Sequence, residues 1–322
     1  MTRRELVLLL CGAMTVAGAV RAQQRAMPVI GFLNPTSPGP LAPYVAAFRQ
    51  GLAETGYVEG QNVTIQYRWA EDHFDRLPAL AADLVAQKVD VIASTGDIAR
   101  AQAAKTATST IPIVFLIGGD PVGVGMVNSL ARPGGNLTGF TLLGGELVPK
   151  RLELLSELAP QTKVIALLLH PNSPATGGVQ EAARTKGLEL HVLRASTESE
   201  IDAAFASLVP LHAGALLVAG APFFDSQRER LVALASRHAV PAIYSEREFA
   251  AAGGLISYGT NRTALYRQAG IYAGRILNGA KPADLPVQQP TRFELVVNLK
   301  TAKELGLAIP QTILLRADEV IE

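Results

Sequence analysis

The sequence predicts an α/β protein of two doubly wound parallel-sheet lobes joined by a multi-strand hinge. Three observations carry this. Val89 to Phe115 (VDVIASTGDIARAQAAKTATSTIPIVF) reads as one βαβ unit, with two short apolar runs on either side of an alanine-rich helical stretch. Continuous apolar runs of this kind belong to parallel strands covered on both faces. Strand-like and helix-like stretches then alternate in the same plan before and after Gly144-Gly145. Finally, 322 residues exceed what one compact core usually holds.

In chain order, PVIGFLN is a strand ending at Asn34, followed by a Pro- and Gly-rich loop and a helix through AAFRQGLAETG that stops at Gly56. VTIQYRWA is the next strand and FDRLPALAADLVAQK the next helix. After the βαβ unit, VGMVNSLA reads as a helical piece, and turn-rich Arg132 to Asn136 leads into the strand LTGF. The second series comprises the helix ELVPKRLELLSELAP, the strand KVIALLLH, a helix to Lys186-Gly187 and the strand LELHVLRA. Thr197 and Glu200 make a capping box for the helix IDAAFASLV. ALLVAG, a long helix to Val240 and PAIYS, which ends at Glu246, complete that series. The tail adds GGLISYG, TALYRQAGIYAGRILNG, FELVVN and AKELGL, and most simply crosses back over the lobe boundary. Residues 27–141 plus 259–288 are thus expected in lobe 1, and 142–258 plus 289–322 in lobe 2.

Composition excludes several classes. A net charge of +1 gives no global electrostatic reason for nucleic acid or an anionic membrane as partner. The single cysteine, Cys11, rules out an intramolecular disulfide. Residues 1–22 read as a signal peptide: Arg3-Arg4, an apolar core, then Val20-Arg21-Ala22, with cleavage expected after Ala22. The core is shorter than the ~20 apolar residues a membrane span needs, so export to a periplasm follows. Arg3-Arg4 also fits a twin-arginine signal loosely and leaves the export route open.

Catalytic constellations are missing. The five histidines are dispersed without HExxH spacing, and neither a G-x-S-x-G elbow nor a P-loop occurs. GGDPVGVGMVN does not match the dinucleotide fingerprint. No cofactor, no metal and no enzyme activity are therefore expected.

Ligands of parallel sheets bind beyond the carboxyl ends of the strands, and that rule selects the candidates. Thr95 and Gly96 stand at a strand-to-helix junction suited either to an anion or to an ordinary helix cap. Gly118 and Asp120 follow the next strand. Asp120 and Glu246, each just past an apolar run, are candidates for holding a ligand ammonium, although Asp120 before Pro121 also fits a turn. Phe223, Tyr244 and Tyr258 are candidates for an aromatic wall, against plain core packing. Asn34 and Asn172 could orient a ligand or stabilise a turn.

The runs GLAETGYVEGQNVTIQYRWAE, DRLPALAADLV, ARPGGNLTG, KRLELLSEL, REFAAAGGLISYGT, YRQAGIYAGRILNGAKPADLPV and FELVVNLKTAKELGL resemble the substrate-binding proteins of ABC transporters. Within these, the chain is similar to the group related to tryptophan- and tyrosine-binding proteins, and the resemblance covers the whole mature chain. It implies the fold of type I periplasmic binding proteins, a monomer, an amino acid or similar small carboxylate as ligand, and an ABC permease and ATPase as partners. It also implies Glu246 rather than Asp120 as the ammonium partner. A sensor subunit with a signalling partner, or an exported two-domain enzyme, are the alternatives.

Overall fold

The computed structural model describes residues 27–96, 98–171, 173 and 178–322. The expected signal peptide, Cys11 and the candidate Asn172 lie outside the described residues. The first lobe is built from β1 (Val29–Asn34), α1 (Pro38–Ala53), β2 (Thr64–Trp69), α2 (Leu77–Ala86), β3 (Val91–Thr95), α3 (Ile98–Ala107), β4 (Ile113–Ile117) and β5 (Leu137–Thr141). Its sheet is parallel throughout, in the order β2-β1-β3-β4-β5. All five residues of β3 and of β4 are buried, as their unbroken apolar sequence requires.

The second lobe runs through α4 (Val148–Leu158), β6 (Val164–Leu169), α5 (Val179–Thr185), β7 (Glu189–Arg194), α6 (Glu198–Ser207), β8 (Ala215–Val218), α7 (Pro222–Ser226), α8 (Arg228–Arg237), β9 (Ala242–Tyr244), α9 (Arg247–Ala251) and β10 (Ile256–Thr260). The chain then returns to the first lobe as α10 (Arg262–Leu277), whose Leu265, Tyr266, Ala269, Tyr272, Ala273 and Ile276 join the core over β1 and β3. A final crossing brings β11 (Phe293–Asn298), α11 (Leu299–Glu304), α12 (Gln311–Leu314) and β12 (Glu319–Ile321) back to the second lobe. The second sheet has the order β12-β11-β10-β9-β8-β6-β7. It is not parallel throughout: β11 runs antiparallel to β10, because it enters from the other lobe at the end where β10 leaves.

Three crossovers therefore join the lobes, after β5, after β10 and before β11. They are tied to one another and to the lobes. The Thr260 hydroxyl donates to the Leu142 carbonyl at 2.9 Å, and Gln288 in the third crossover exchanges backbone hydrogen bonds with Gly139 and Thr141 of lobe 1.

Local departures from the sequence reading have local causes. VGMVNSLA forms turns rather than a helix: Pro121 opens the segment, Gly125 adopts φ +67°, and Met126 and Val127 fold back into the core. The first helix starts earlier than its apolar periodicity suggests, at Pro38, where proline suits the first helical position. The helix expected to run unbroken to Val240 is divided at Gln227, whose backbone (φ −100°, ψ 19°) leaves the helical region. The capping box is present as read, with the Thr197 side chain accepting from the Glu200 N–H and Glu200 reaching back to the Thr197 N–H. Thr197→Ala is expected to cost ~1 kcal/mol, seen as a lower urea midpoint at unchanged slope.

Candidate ligand-binding site

In both sheets the strand order reverses next to the first strand, between β1 and β3 in one lobe and between β6 and β8 in the other. The crevice at such a switch point is where open α/β sheets bind ligands. Here the two crevices face each other across a cavity of about 220 Å³. That is smaller than the roughly 300–1,000 Å³ of sites for drug-sized molecules.

Lobe 1 contributes Phe74, Gly96, Ile98 and the Gly118-Gly119 pair, and lobe 2 contributes His170, Gly220, Phe223, Asp225 and Glu246. Arg151, Gly144 and Thr260 close the hinge side. Phe74 meets His170 across the cleft with ring centroids 5.9 Å apart, and His170 meets Phe223 at the same 5.9 Å. One end of the cavity is thus an aromatic wall drawn from both lobes, which suits a flat apolar group.

A second part of the lining is ionic. Arg262, the first residue of α10, sends Nη1 to Asp225 Oδ2 at 2.5 Å and lies 3.7 Å from Glu246 Oε1. Its guanidinium also lies 4.7 Å from the centre of the Tyr44 ring, a cation–π contact within lobe 1. Arg262 belongs to a lobe 1 helix while Asp225 and Glu246 belong to lobe 2, so this ion pair spans the cleft. Burial works against the Arg262 charge, yet Asp225 and Glu246 hold its pKa well above the ordinary value. Glu246 Oε2 and Asp225 Oδ1 are buried without a hydrogen-bond partner among the described residues. Burial pushes the Glu246 carboxyl up to about 8; Asp225 and Glu248 push the same way, and Arg262 and Arg151 oppose.

The residues singled out from the sequence divide into two groups. Gly96, Gly118, Phe223 and Glu246 come together in the cavity wall. Glu246 does not pair with Arg247, which instead bonds Glu319 at 2.6 Å. Asn34 and Thr95 are buried and bonded to each other: Asn34 Nδ2 donates to the Thr95 hydroxyl at 2.8 Å and to its carbonyl at 3.1 Å, while Asn34 Oδ1 accepts from Thr36. They clasp the ends of β1 and β3 beneath the cavity wall. The Gly96 N–H donates to the Leu116 carbonyl at 2.8 Å and is engaged within lobe 1, while the Thr95 hydroxyl serves Asn34 as an acceptor.

Asp120 is exposed and its carboxylate accepts from the Val122 N–H at 2.9 Å, the turn arrangement. Tyr244 is buried, stacks on Phe249 at 4.7 Å and is not part of the cavity lining. Tyr258 packs its ring beside Phe293 and offers the site only its backbone carbonyl.

Arg151, Arg262, Asp225, Phe74 and His170 were not singled out, though two had a signal. In α4 the positions Val148, Arg151, Leu152, Leu155 and Leu158 form one buried stripe, which places an arginine where an apolar residue belongs. Arg262 puts a cation in the first turn of a helix, against the helix dipole.

Two α/β lobes joined by three crossovers around a shared cavity define a bilobal solute-binding protein. The chain belongs to the ABC transporter substrate binding protein family, whose model matches residues 30–321. It is 29% identical over 264 residues to a tyrosine-binding protein of Clostridioides difficile (strain R20291), covering 81% of this chain and 75% of that one. Among solved structures, it is similar to an ABC domain from Streptococcus pneumonia in complex with L-Trp (TM-score 0.83, 27% identity, 92% of this chain and 100% of that one). It is also similar to the ligand-free, open structure of a substrate binding protein with adhesive properties from Clostridium difficile (TM-score 0.65, 26% identity, 91% and 99%). At nearly equal sequence identity, the chain as a whole superposes better on the complex than on the open, ligand-free protein. Among the described residues no helix is long and apolar enough to cross a membrane, and no group of three or more His, Cys, Asp or Glu is placed to hold a metal ion.

Proposed function

We propose that the protein is the periplasmic receptor of an ABC importer. In this reading it binds an amino acid with an aromatic or large apolar side chain between its lobes, performs no chemistry on it, and delivers it to a membrane permease served by an ATPase. The observation that carries the ligand class is Glu246 Oε2, a buried carboxylate oxygen without a hydrogen-bond partner among the described residues, in the same cavity as Phe74, His170 and Phe223. An ammonium satisfies that oxygen, and a flat side chain fills the aromatic end. The Trp- and Tyr-binding relatives support the same class. The ligand stabilises the closed form only through its greater affinity for it, and groups from both lobes around the cavity supply that difference. Asn34 and Thr95 enter this reading as the clasp beneath the site rather than as ligand contacts.

A pH test follows with its sign. Free Glu246 titrates near 8, above its unfolded value, so its contribution to the stability of the empty protein is greatest in acid and fades as pH rises toward 8. An ammonium needs the ionised carboxylate. Affinity for L-tryptophan or L-tyrosine is therefore expected to rise from pH 6 to about 8, by up to tenfold per pH unit, with proton release on binding. Calorimetry of the mature chain in buffers of different ionisation enthalpy measures both. Glu246→Gln should bind weakly and without this pH dependence. A pH-independent affinity with no proton released would remove Glu246 from the site.

A further inference from the structure

The cavity holds a second buried cation, which no carboxylate reaches at ion-pair distance among the described residues, although Glu246 acts on its charge from farther away. Arg151 is 1% exposed and lines the hinge side of the cavity. Its Nε donates to the Tyr258 carbonyl at 2.6 Å and its Nη1 to the Gly144 carbonyl at 3.2 Å. Both partners are neutral, and no carboxylate lies within ion-pair distance of Arg151 among the described residues. Arg262, buried to a similar degree, faces two carboxylates. A guanidinium whose hydrogen-bond acceptors are all neutral, with Glu246 acting only at longer range, favours an incoming anion, since a buried charge is costly until it is paired. Five N–H donors in a planar fork suit a carboxylate, and two of them are committed to the carbonyls. At the Thr95-Gly96 junction the Gly96 N–H is already taken by the Leu116 carbonyl, and the Thr95 hydroxyl accepts from Asn34.

We propose that Arg151 binds the carboxylate of the ligand, so that the cavity holds a zwitterion between Arg151 on the hinge side and Glu246 on the lobe 2 wall. This rests on the reading of the cavity as the solute site and adds the second pole to it. It also explains why the cavity should select α-amino acids over amines or acids of the same shape. Because Arg151 simultaneously holds Tyr258, at the strand that leads into the second crossover, and Gly144, in the first, the ligand carboxylate would share one guanidinium with two of the three hinge segments.

The test uses three probes of nearly equal shape on the full mature chain: L-tryptophan, tryptamine, which lacks the carboxylate, and indole-3-propionate, which lacks the ammonium. Each analogue should bind wild-type protein roughly 10- to 100-fold more weakly than L-tryptophan, the range of a charge-assisted hydrogen bond. Arg151→Met should lose that factor for L-tryptophan and leave tryptamine unchanged, and Arg151→Lys should recover part of it. Tryptamine binding wild-type protein as tightly as L-tryptophan overturns the Arg151 assignment while leaving Glu246 in place. Indole-3-propionate binding as tightly as L-tryptophan instead overturns Glu246 and leaves Arg151. Equal loss of L-tryptophan and tryptamine in Arg151→Met would reduce Arg151 to a hinge support. The wild-type comparison needs no variant, so misfolding of Arg151→Met would not shelter the proposal, and absence of binding by all three probes overturns both poles.

Discussion

Arg262→Met is expected to lower ligand affinity by about a hundredfold or more while leaving both lobes folded. The guanidinium is 6% exposed and sits between Asp225 at 2.5 Å and Glu246 at 3.7 Å. Removing one member of a buried charge set costs ~3–5 kcal/mol, because the remaining charges stay buried without compensation. Glu246 already titrates near 8 and can escape part of that cost by taking up a proton, which favours the lower end of the range. About 3 kcal/mol corresponds to a factor of roughly 150 in a dissociation constant. The penalty falls on closure rather than on folding, because the cation comes from a lobe 1 helix and both carboxylates come from lobe 2. When the lobes separate, water reaches all three groups. The unliganded variant should therefore be more open by small-angle scattering, with a thermal midpoint close to that of the unliganded wild type. Arg262→Lys, which keeps the charge but loses the planar fork, should fall between the two. Unchanged affinity in Arg262→Met would show that the pair does not hold the lobes together.

The contrast between what the sequence disclosed and what it concealed has a physical origin. Strands such as VDVIAS and IPIVF were legible because parallel strands buried on both faces need unbroken apolar residues, and few other elements do. Their ends converge on one region: Gly96, Gly118, Phe223 and Glu246 all follow such strands and line the cavity. Which side chain at a strand end reaches the cleft was not legible, because successive residues point to opposite faces and the face that matters depends on the other lobe. Tyr244 illustrates this, since it closes an apolar strand yet turns to Phe249 in the core. Asn34 and Thr95 satisfy each other, a pairing between residues 61 positions apart that no local pattern records. Arg262 and Arg151 draw their roles from partners 37 and 107 positions away. Each nevertheless breaks a local rule, and such breaks are where functional side chains tend to be found.

Gly270→Val is expected to be among the most destabilising single substitutions in lobe 1 and to weaken ligand binding as well. Helices α1 and α10 cross with their backbones in close approach. A Cβ at Gly270 would meet the Phe48 carbonyl oxygen, and one at Gly51 would meet that of Arg267. Both obstacles are backbone atoms, so rotation of a side chain cannot relieve them and the helices must separate. Overpacking commonly costs 1–3 kcal/mol, and a branched side chain against a carbonyl belongs at the upper end, equivalent to a fall of roughly 5–10 °C in the midpoint of a protein this large. Gly56→Ala provides the control: its φ of +93° is strained for any side chain, but nothing lies within 4 Å of the added Cβ, so only ~1 kcal/mol is at stake. The effect on binding follows from connectivity. Arg262 begins the helix that carries Gly270, so tilting α10 away from α1 displaces the guanidinium from Asp225 and Glu246. If Gly270→Val lost stability but kept full ligand affinity, the position of Arg262 would have to be set by the Tyr44 contact and the crossover rather than by the packing of α10.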